Sequence, residues 1–325
     1  MDFYPTSQPL VPNYSFKSRC NAIVNELRNE PPSKTPSLIA TVFGDIVEAY
    51  GGEIWLGSLT RLLEPLGLSE RLVRTAVYRL SQEGSLEAVK AGRRSYYRLT
   101  TSTRQRVDRF DRRIYYFSEP EWDGEWRLVF AGTRGVSTAQ RAEVRKRMEW
   151  LGFGIIAPNV YGHPTAPLEP VWQLMQALDI ADKVSIMRAS NHDQTQGLGT
   201  REMVRQCFDI DRLERDYSAF LKRYRPLAHA LQQSSNSGDM NPEHCLVLRI
   251  MLIHQYRRIL LHDPELPTPL LPPDWNGLEA HRLCAAIYKA VEPASDEQIL
   301  SLGENRKGAF RSLVAWHRGR FAGTD

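Results

Sequence analysis

Two sets of side chains in this chain have the types and spacing to do chemistry, and in both cases the chemistry is recognition rather than bond making. The first is Ser69, Arg71, Arg74, Thr75, Tyr78 and Arg79, which recur at helical spacing. The second is Arg93 and Arg94 at the end of a short turn, with Tyr96 just beyond. An arginine on a helix in the major groove can grip guanine through two hydrogen bonds, while threonine and tyrosine bond phosphate or touch a thymine methyl. Adjacent arginines at a hairpin tip suit a minor groove or a phosphate track. No aromatic stacking platform or RNA-module signature accompanies them, so the partner they imply is double-stranded DNA.

Charge distribution points the same way. The chain has 42 Lys and Arg against 38 Asp and Glu, a net charge of only +4. Between Arg71 and Arg113, however, there are twelve basic and four acidic residues, so this stretch carries +8 and the remainder −4. A local basic patch on a mildly acidic chain is the footprint of a nucleic-acid surface, because neutralising phosphates releases counterions.

Other chemistries lack their residues. Cys20, Cys207, Cys245 and Cys284 show no paired zinc or redox spacing and read as reduced thiols that pack as small apolar groups. His254, His262 and His281 are too far apart for a paired metal motif. Ser137 sits in no GxSxG elbow and serves better as a helix cap, and no glycine-rich phosphate loop is present. The expectation is no catalytic residue, no metal and no cofactor.

Elements must position the two basic sets. Ser69 can cap a helix whose Leu72, Val73, Ala76, Val77 and Leu80 form one apolar stripe, and Gly84 ends it. A preceding helix from Ser58 to about Glu64 offers Leu59, Leu62 and Leu63 to the same core, and Pro65 and Gly67 force the turn between them. Leu86 to Lys90 and Tyr96 to Thr100 alternate as a two-stranded ribbon joined through Ala91-Gly92-Arg93-Arg94. With a first helix from Ser37 carrying Leu38, Ile39, Val42, Phe43, Ile46 and Val47, this is a winged helix-turn-helix over residues 37–100.

Residues 1–36 read as a partly ordered arm with a short amphipathic helix at Ile23, Val24 and Leu27, and 101–121 as a basic helical linker. Residues 122–195 alternate strand and helix. Trp126–Ala131 is a strand, Ser137 caps a helix to about Leu151, Gly152–Ala157 is a second strand and 158–163 continues extended. Pro170–Leu178 is helical and Lys183–Ala189 a last strand, so the domain is ferredoxin-like α+β. Strand signals stop near Thr200, and 196–325 reads as an all-α domain with helices at Ile210–Leu231, Glu243–Leu261 and Gly277–Val291. No apolar run approaches a membrane span and no signal-peptide pattern opens the chain, which predicts a cytoplasmic protein.

Taken together, the chain from Ser37 to about Val291 resembles the phenylacetic acid catabolon repressor family (PaaX-like). The segments that carry the resemblance are SLIATVFGDIVEAYGGEIWLGSLTRLLEPLGLSERLVRTAVYRL, GRRSYYRLT, EWRLVFAGTRGVSTAQRAEVRKRMEWLGFG and HQYRRILLHDPELPTPLLPPDWNG. The resemblance implies a multi-domain α+β repressor with a winged helix-turn-helix, a central Cas2-like domain and a helical C-terminal domain. It also implies a homodimer on an imperfectly palindromic operator, released by an aryl-acyl-CoA such as phenylacetyl-CoA. Such an effector needs cations for its phosphates and an apolar slot for its acyl end. Arg134, Arg141, Arg145, Arg257 and Arg258 are the candidate cations, and Trp172, Trp275, Tyr256 and Tyr288 the candidate wall. A regulator answering a different acyl-CoA or acid is the alternative. A Cas2-like metal-dependent nuclease is a weaker one, because the strand Arg127-Leu128-Val129-Phe130-Ala131-Gly132 has no carboxylate and Asp123 lies before it.

Overall fold

The computed structural model describes residues 15–29, 35–116, 119–132, 135–190, 199–233, 240–311 and 319–322. Its elements begin with α1 (Phe16–Asn29), α2 (Thr35–Val42), which continues through a π turn at Phe43–Val47, β1 (Glu53–Trp55), α3 (Leu56–Leu63) and α4 (Glu70–Gln82). There follow β2 (Leu86–Ala91), β3 (Arg94–Leu99), α5 (Thr101–Tyr115), β4 (Trp126–Phe130), α6 (Thr138–Trp150), β5 (Gly154–Ala157), β6 (Val160–His163), α7 (Glu169–Ala177) and β7 (Ser185–Ala189). The chain ends in α8 (Thr200–Cys207), α9 (Ile210–Gln233), α10 (Pro242–Leu260), α11 (Gly277–Leu302), β8 (Glu304–Asn305) and β9 (Gly308–Ala309). Two compact units emerge: residues 1–115 with 222–254 and 282–325, and residues 116–221 with 255–281.

In the first unit, β1, β3 and β2 form an antiparallel sheet in that order. The ribbon expected from the sequence is therefore three-stranded. Its extra strand, Glu53-Ile54-Trp55, is too short to show an alternating pattern. Its pairing makes β3 central and sets Trp55 opposite Tyr96. Beside the sheet, Leu59, Leu62 and Leu63 of α3 and Val73, Ala76, Val77 and Leu80 of α4 are buried. Leu72, expected in that stripe, is instead 46% exposed. It lies one residue, about 100° of helix rotation, before the row 73, 76, 77 and 80, and so falls at its edge.

The same unit buries a charged network. Asp45, in the π turn, accepts hydrogen bonds from Tyr115 (2.7 Å), Tyr288 (3.0 Å), Arg249 (2.8 Å) and Arg320 (2.9 Å). Arg320 also donates to the carbonyls of Gly44 (3.0 Å) and Asp45 (2.5 Å), and Arg249 to Asp296 (2.7 Å). Burial pushes the Asp45 carboxyl up, but the two guanidiniums outweigh it and hold its pKa below the usual carboxylate value. Gly44 permits this close packing: a Cβ there would stand 3.3 Å from Val107 and 3.4 Å from Asp111 on α5. Helix α11 runs through Pro293 to Leu302, past the end at Val291 expected from the sequence. Its continuation supplies Ser295 and Asp296 to Arg249. The short β8–β9 hairpin is likewise strand structure that the sequence did not signal after Thr200.

In the second unit, a four-stranded antiparallel sheet has the order β5-β6-β4-β7. With α6 after β4 and α7 after β6, this is two interleaved strand–helix–strand units, the ferredoxin-like topology. Ser137 and Gln140 form a full capping box at the start of α6. Residues 158–163 do not simply continue the preceding strand. Asn159 takes a positive φ of 61° and turns the chain back, so β5 and β6 form a hairpin. Val129, Val144, Met148, Phe153, Tyr161, Val171 and Met175 build the core on the helix-covered face.

Candidate nucleic-acid interface

Helix α4 starts because the Ser69 side chain accepts from the Leu72 N–H. The approach is set by Pro65 and by Gly67, whose φ of 77° an L side chain rarely adopts. Burying Val73, Ala76, Val77 and Leu80 leaves Arg71, Arg74, Thr75, Tyr78 and Arg79 together on the outer side. Tyr78 is 66% exposed, a large aromatic ring on a helix with no protein to cover it among the described residues. Thr75 is partly spent on the Arg71 carbonyl (2.8 Å). Arg74 pairs with Glu70 (2.5 Å) and Arg79 with Glu83 (2.9 Å), each one turn away and solvent-exposed. Exposed pairs of this kind contribute roughly 0–1 kcal/mol, so an approaching phosphate or guanine can take either arginine. The guanidinium of Arg71 has no such pair among the described residues.

The β2–β3 hairpin turns on Gly92 and Arg93, with Ala91 and Arg94 as the last pair. Gly92 has φ 59°, the positive value a two-residue hairpin of this type requires at its first central position. Arg93 is exposed at the tip. Arg94 folds back, paired with Glu304 (2.7 Å) and lying over the Trp55 ring (4.2 Å). The Glu304 hydrogen bond raises the already high Arg94 pKa further. Tyr96, expected among the contacts, is buried on the central strand. Between the α3 start, the first turn of α4 and the hairpin tip lies a cleft of about 460 Å³, lined by Trp55, Arg61, Arg74, Arg93 and Arg94 among others. Trp55 and Arg61 had no sequence signal, since neither sits in a periodic basic row.

The effector candidates are less gathered. Arg134 lies outside the described residues. Arg141 and Arg145 share a face of α6, with Arg145 paired to Glu149 (3.1 Å). Arg257 and Arg258 are consecutive on α10, so they point to different sides of it, one partly buried and one exposed. Three of the four aromatics serve packing. Trp275 meets Tyr217 edge-on (5.4 Å), Tyr256 packs on Phe220 (5.6 Å), and Tyr288 bonds Asp45 in the first unit.

Asp123 is held by Arg127 through two 2.8 Å hydrogen bonds, which lower its pKa. His254 bonds Thr41 (3.0 Å) and His281 bonds Tyr256 (3.2 Å). Among the described residues no group of three or more His, Cys, Asp or Glu is placed to hold a metal ion. No helix among them is long and apolar enough to cross a membrane.

Three family models match the chain in order: PaaX-like protein at 34–103, PaaX protein central Cas2-like domain at 119–201, and PaaX-like protein C-terminal domain at 208–301. The chain is also 35% identical over 308 residues to the transcriptional repressor PaaX of Escherichia coli (strain K12), covering 95% of this chain and 96% of that one. The chain belongs to the PaaX-like family. The ferredoxin-like sheet of the second unit is thus the family's Cas2-like central domain, and helices make up the C-terminal segment. The Escherichia coli relative is a transcriptional repressor. A solved structure, uncharacterized protein Rv0674 from Mycobacterium tuberculosis, is similar at 22% identity and a TM-score of 0.47, covering 78% of this chain and 96% of that one.

Proposed function

We propose that this PaaX-like protein is a sequence-specific DNA-binding repressor of an aromatic-acid operon and that residues 37–100 form its winged helix-turn-helix. The observation that carries the reading is the exposed face of α4, where Arg71, Arg74, Thr75, Tyr78 and Arg79 stand out from a helix whose other side is buried. Helix α4 lies in the major groove, Ser69 and Arg71 nearest its floor, and the hairpin tip with Arg93 and Arg94 follows the backbone. One such helix reads too few bases to define an operator. Two copies of the chain therefore bind half-sites about 34–36 Å apart as a homodimer. The inducer is an aryl-acyl-CoA of the phenylacetyl-CoA type, whose phosphates meet cations such as Arg141 and Arg145. It releases the operator by binding better to the low-affinity state.

Gel shifts with the chain's own upstream DNA and with random duplex test the reading. Arg74→Ala should relax base preference by about 1–3 kcal/mol, whereas Arg93→Ala should weaken all sequences alike. Equal losses for both variants on both duplexes would refute that division, and a single unrepeated footprint would refute the dimer.

A further inference from the structure

The cleft beside α4 has the composition of a site for one anion. Its lining includes Arg61, Arg74, Arg93 and Arg94 against one acid, Glu70, and Arg93 has no ion-pair partner among the described residues. Trp55 forms its wall. Arg94 lies 4.2 Å and Arg61 5.5 Å from the Trp55 ring, so two guanidiniums are held in place by the same aromatic surface. The wall is seated closely on α3, where a Cβ on Gly57 would come within 2.6 Å of the Trp55 ring.

Those two guanidiniums share a further partner. One oxygen of Glu304 takes Arg61 (3.2 Å) and the other takes Arg94 (2.7 Å). The hairpin that carries Glu304 is itself pinned, because Arg306 donates to both oxygens of Glu53 on β1 at 2.8 Å. A single bridging anion with two oxygens is thus already the partner these donors accept. A phosphodiester offers two such oxygens and comes with the duplex that α4 and the hairpin tip flank.

We propose that the cleft is the seat of a DNA backbone phosphate and that Glu304, from the C-terminal hairpin, competes with it for Arg61 and Arg94. Glu304 thereby sets affinity for duplex of any sequence, while the outer face of α4 sets preference among sequences. The inference rests on the DNA reading above and adds to it a site and a competitor.

Fluorescence anisotropy of the full chain with the upstream duplex and a random duplex, each at low and high salt, tests it. Glu304→Gln should tighten both duplexes about three- to tenfold at low salt, with the gain shrinking at high salt, as expected for relief of exposed ion pairs. Arg61→Gln should weaken both alike and lower the slope of log K against log salt by about one phosphate contact. Should Glu304→Gln lower the melting temperature, the Arg61→Gln slope decides alone. Unchanged or weaker binding by a folded Glu304→Gln chain, or an unchanged slope for Arg61→Gln, overturns the proposal and leaves the DNA reading standing. A wild-type chain that binds neither duplex overturns both.

Discussion

Replacing Asp45 by asparagine removes the one carboxylate on which Arg249, Arg320, Tyr115 and Tyr288 converge. The amide keeps the shape and one acceptor, but turns an N–H₂ toward donors and leaves two buried guanidiniums short of a charge. Losing one partner of a buried pair costs about 3–5 kcal/mol. The cost does not double here, because Arg249 retains Asp296 at 2.7 Å and Arg320 retains the Gly44 and Asp45 carbonyls. We therefore expect a loss of about 3–5 kcal/mol, a large share of the ~5–15 kcal/mol typical of a folded domain. Urea unfolding followed by far-ultraviolet circular dichroism measures it. The gap between wild type and variant should persist in 1 M salt, since burial shields the pair from screening. A loss below about 1 kcal/mol, or one that salt abolishes, would show that the network is not what holds these segments together.

Further outcomes follow from the same contacts. Because the folded-state pKa of Asp45 is depressed, its contribution is complete above the unfolded value near 3.9 and is lost as pH falls through the folded value. The stability gap between wild type and Asp45→Asn should accordingly be flat from pH 5 to 8 and narrow below about 4; a gap that grows on acidification contradicts this. Tyr78→Ala should leave unfolding within about 0.5 kcal/mol of wild type while weakening DNA binding, and the reverse pattern would make Tyr78 a structural residue. Ser137→Ala, which breaks the capping box of α6, should cost about 1 kcal/mol, checked by the same urea titration. Calorimetric titration with phenylacetyl-CoA, CoA and phenylacetate separately should give heat of tight binding for the thioester alone; three silent titrations would point to a different inducer.

What could be read from the sequence was what local patterning encodes. Ser69, Gly67 and the row 73, 76, 77 and 80 specify α4 and its exposed face through capping, backbone freedom and helical period. The strand–helix order of residues 122–195 gives the central topology for the same reason. The burial of Tyr96 left no sequence signal because it depends on β1, a three-residue strand paired across more than forty positions. Asp45, an acid within the apolar run LIATVFGDIV, was not singled out, and its two guanidinium partners lie more than 200 residues away. Glu304 meets Arg61 and Arg94 only through the hairpin after α11. Such tertiary meetings leave no periodic trace.

The order in which the chain is synthesised gives the Asp45 network a temporal meaning. A nascent chain has made every residue of α3, α4 and the β2–β3 hairpin long before Arg249 and Arg320 exist to neutralise Asp45. Until residue 320 has left the ribosome, the Asp45 network lacks one of its two guanidiniums and that group's bonds to the Gly44 and Asp45 carbonyls. Contacts of such long sequence separation form slowly and late. A polypeptide cut short before residue 320 would therefore carry α4 and the β2–β3 hairpin without the full set of bonds that ties Asp45 into the first unit.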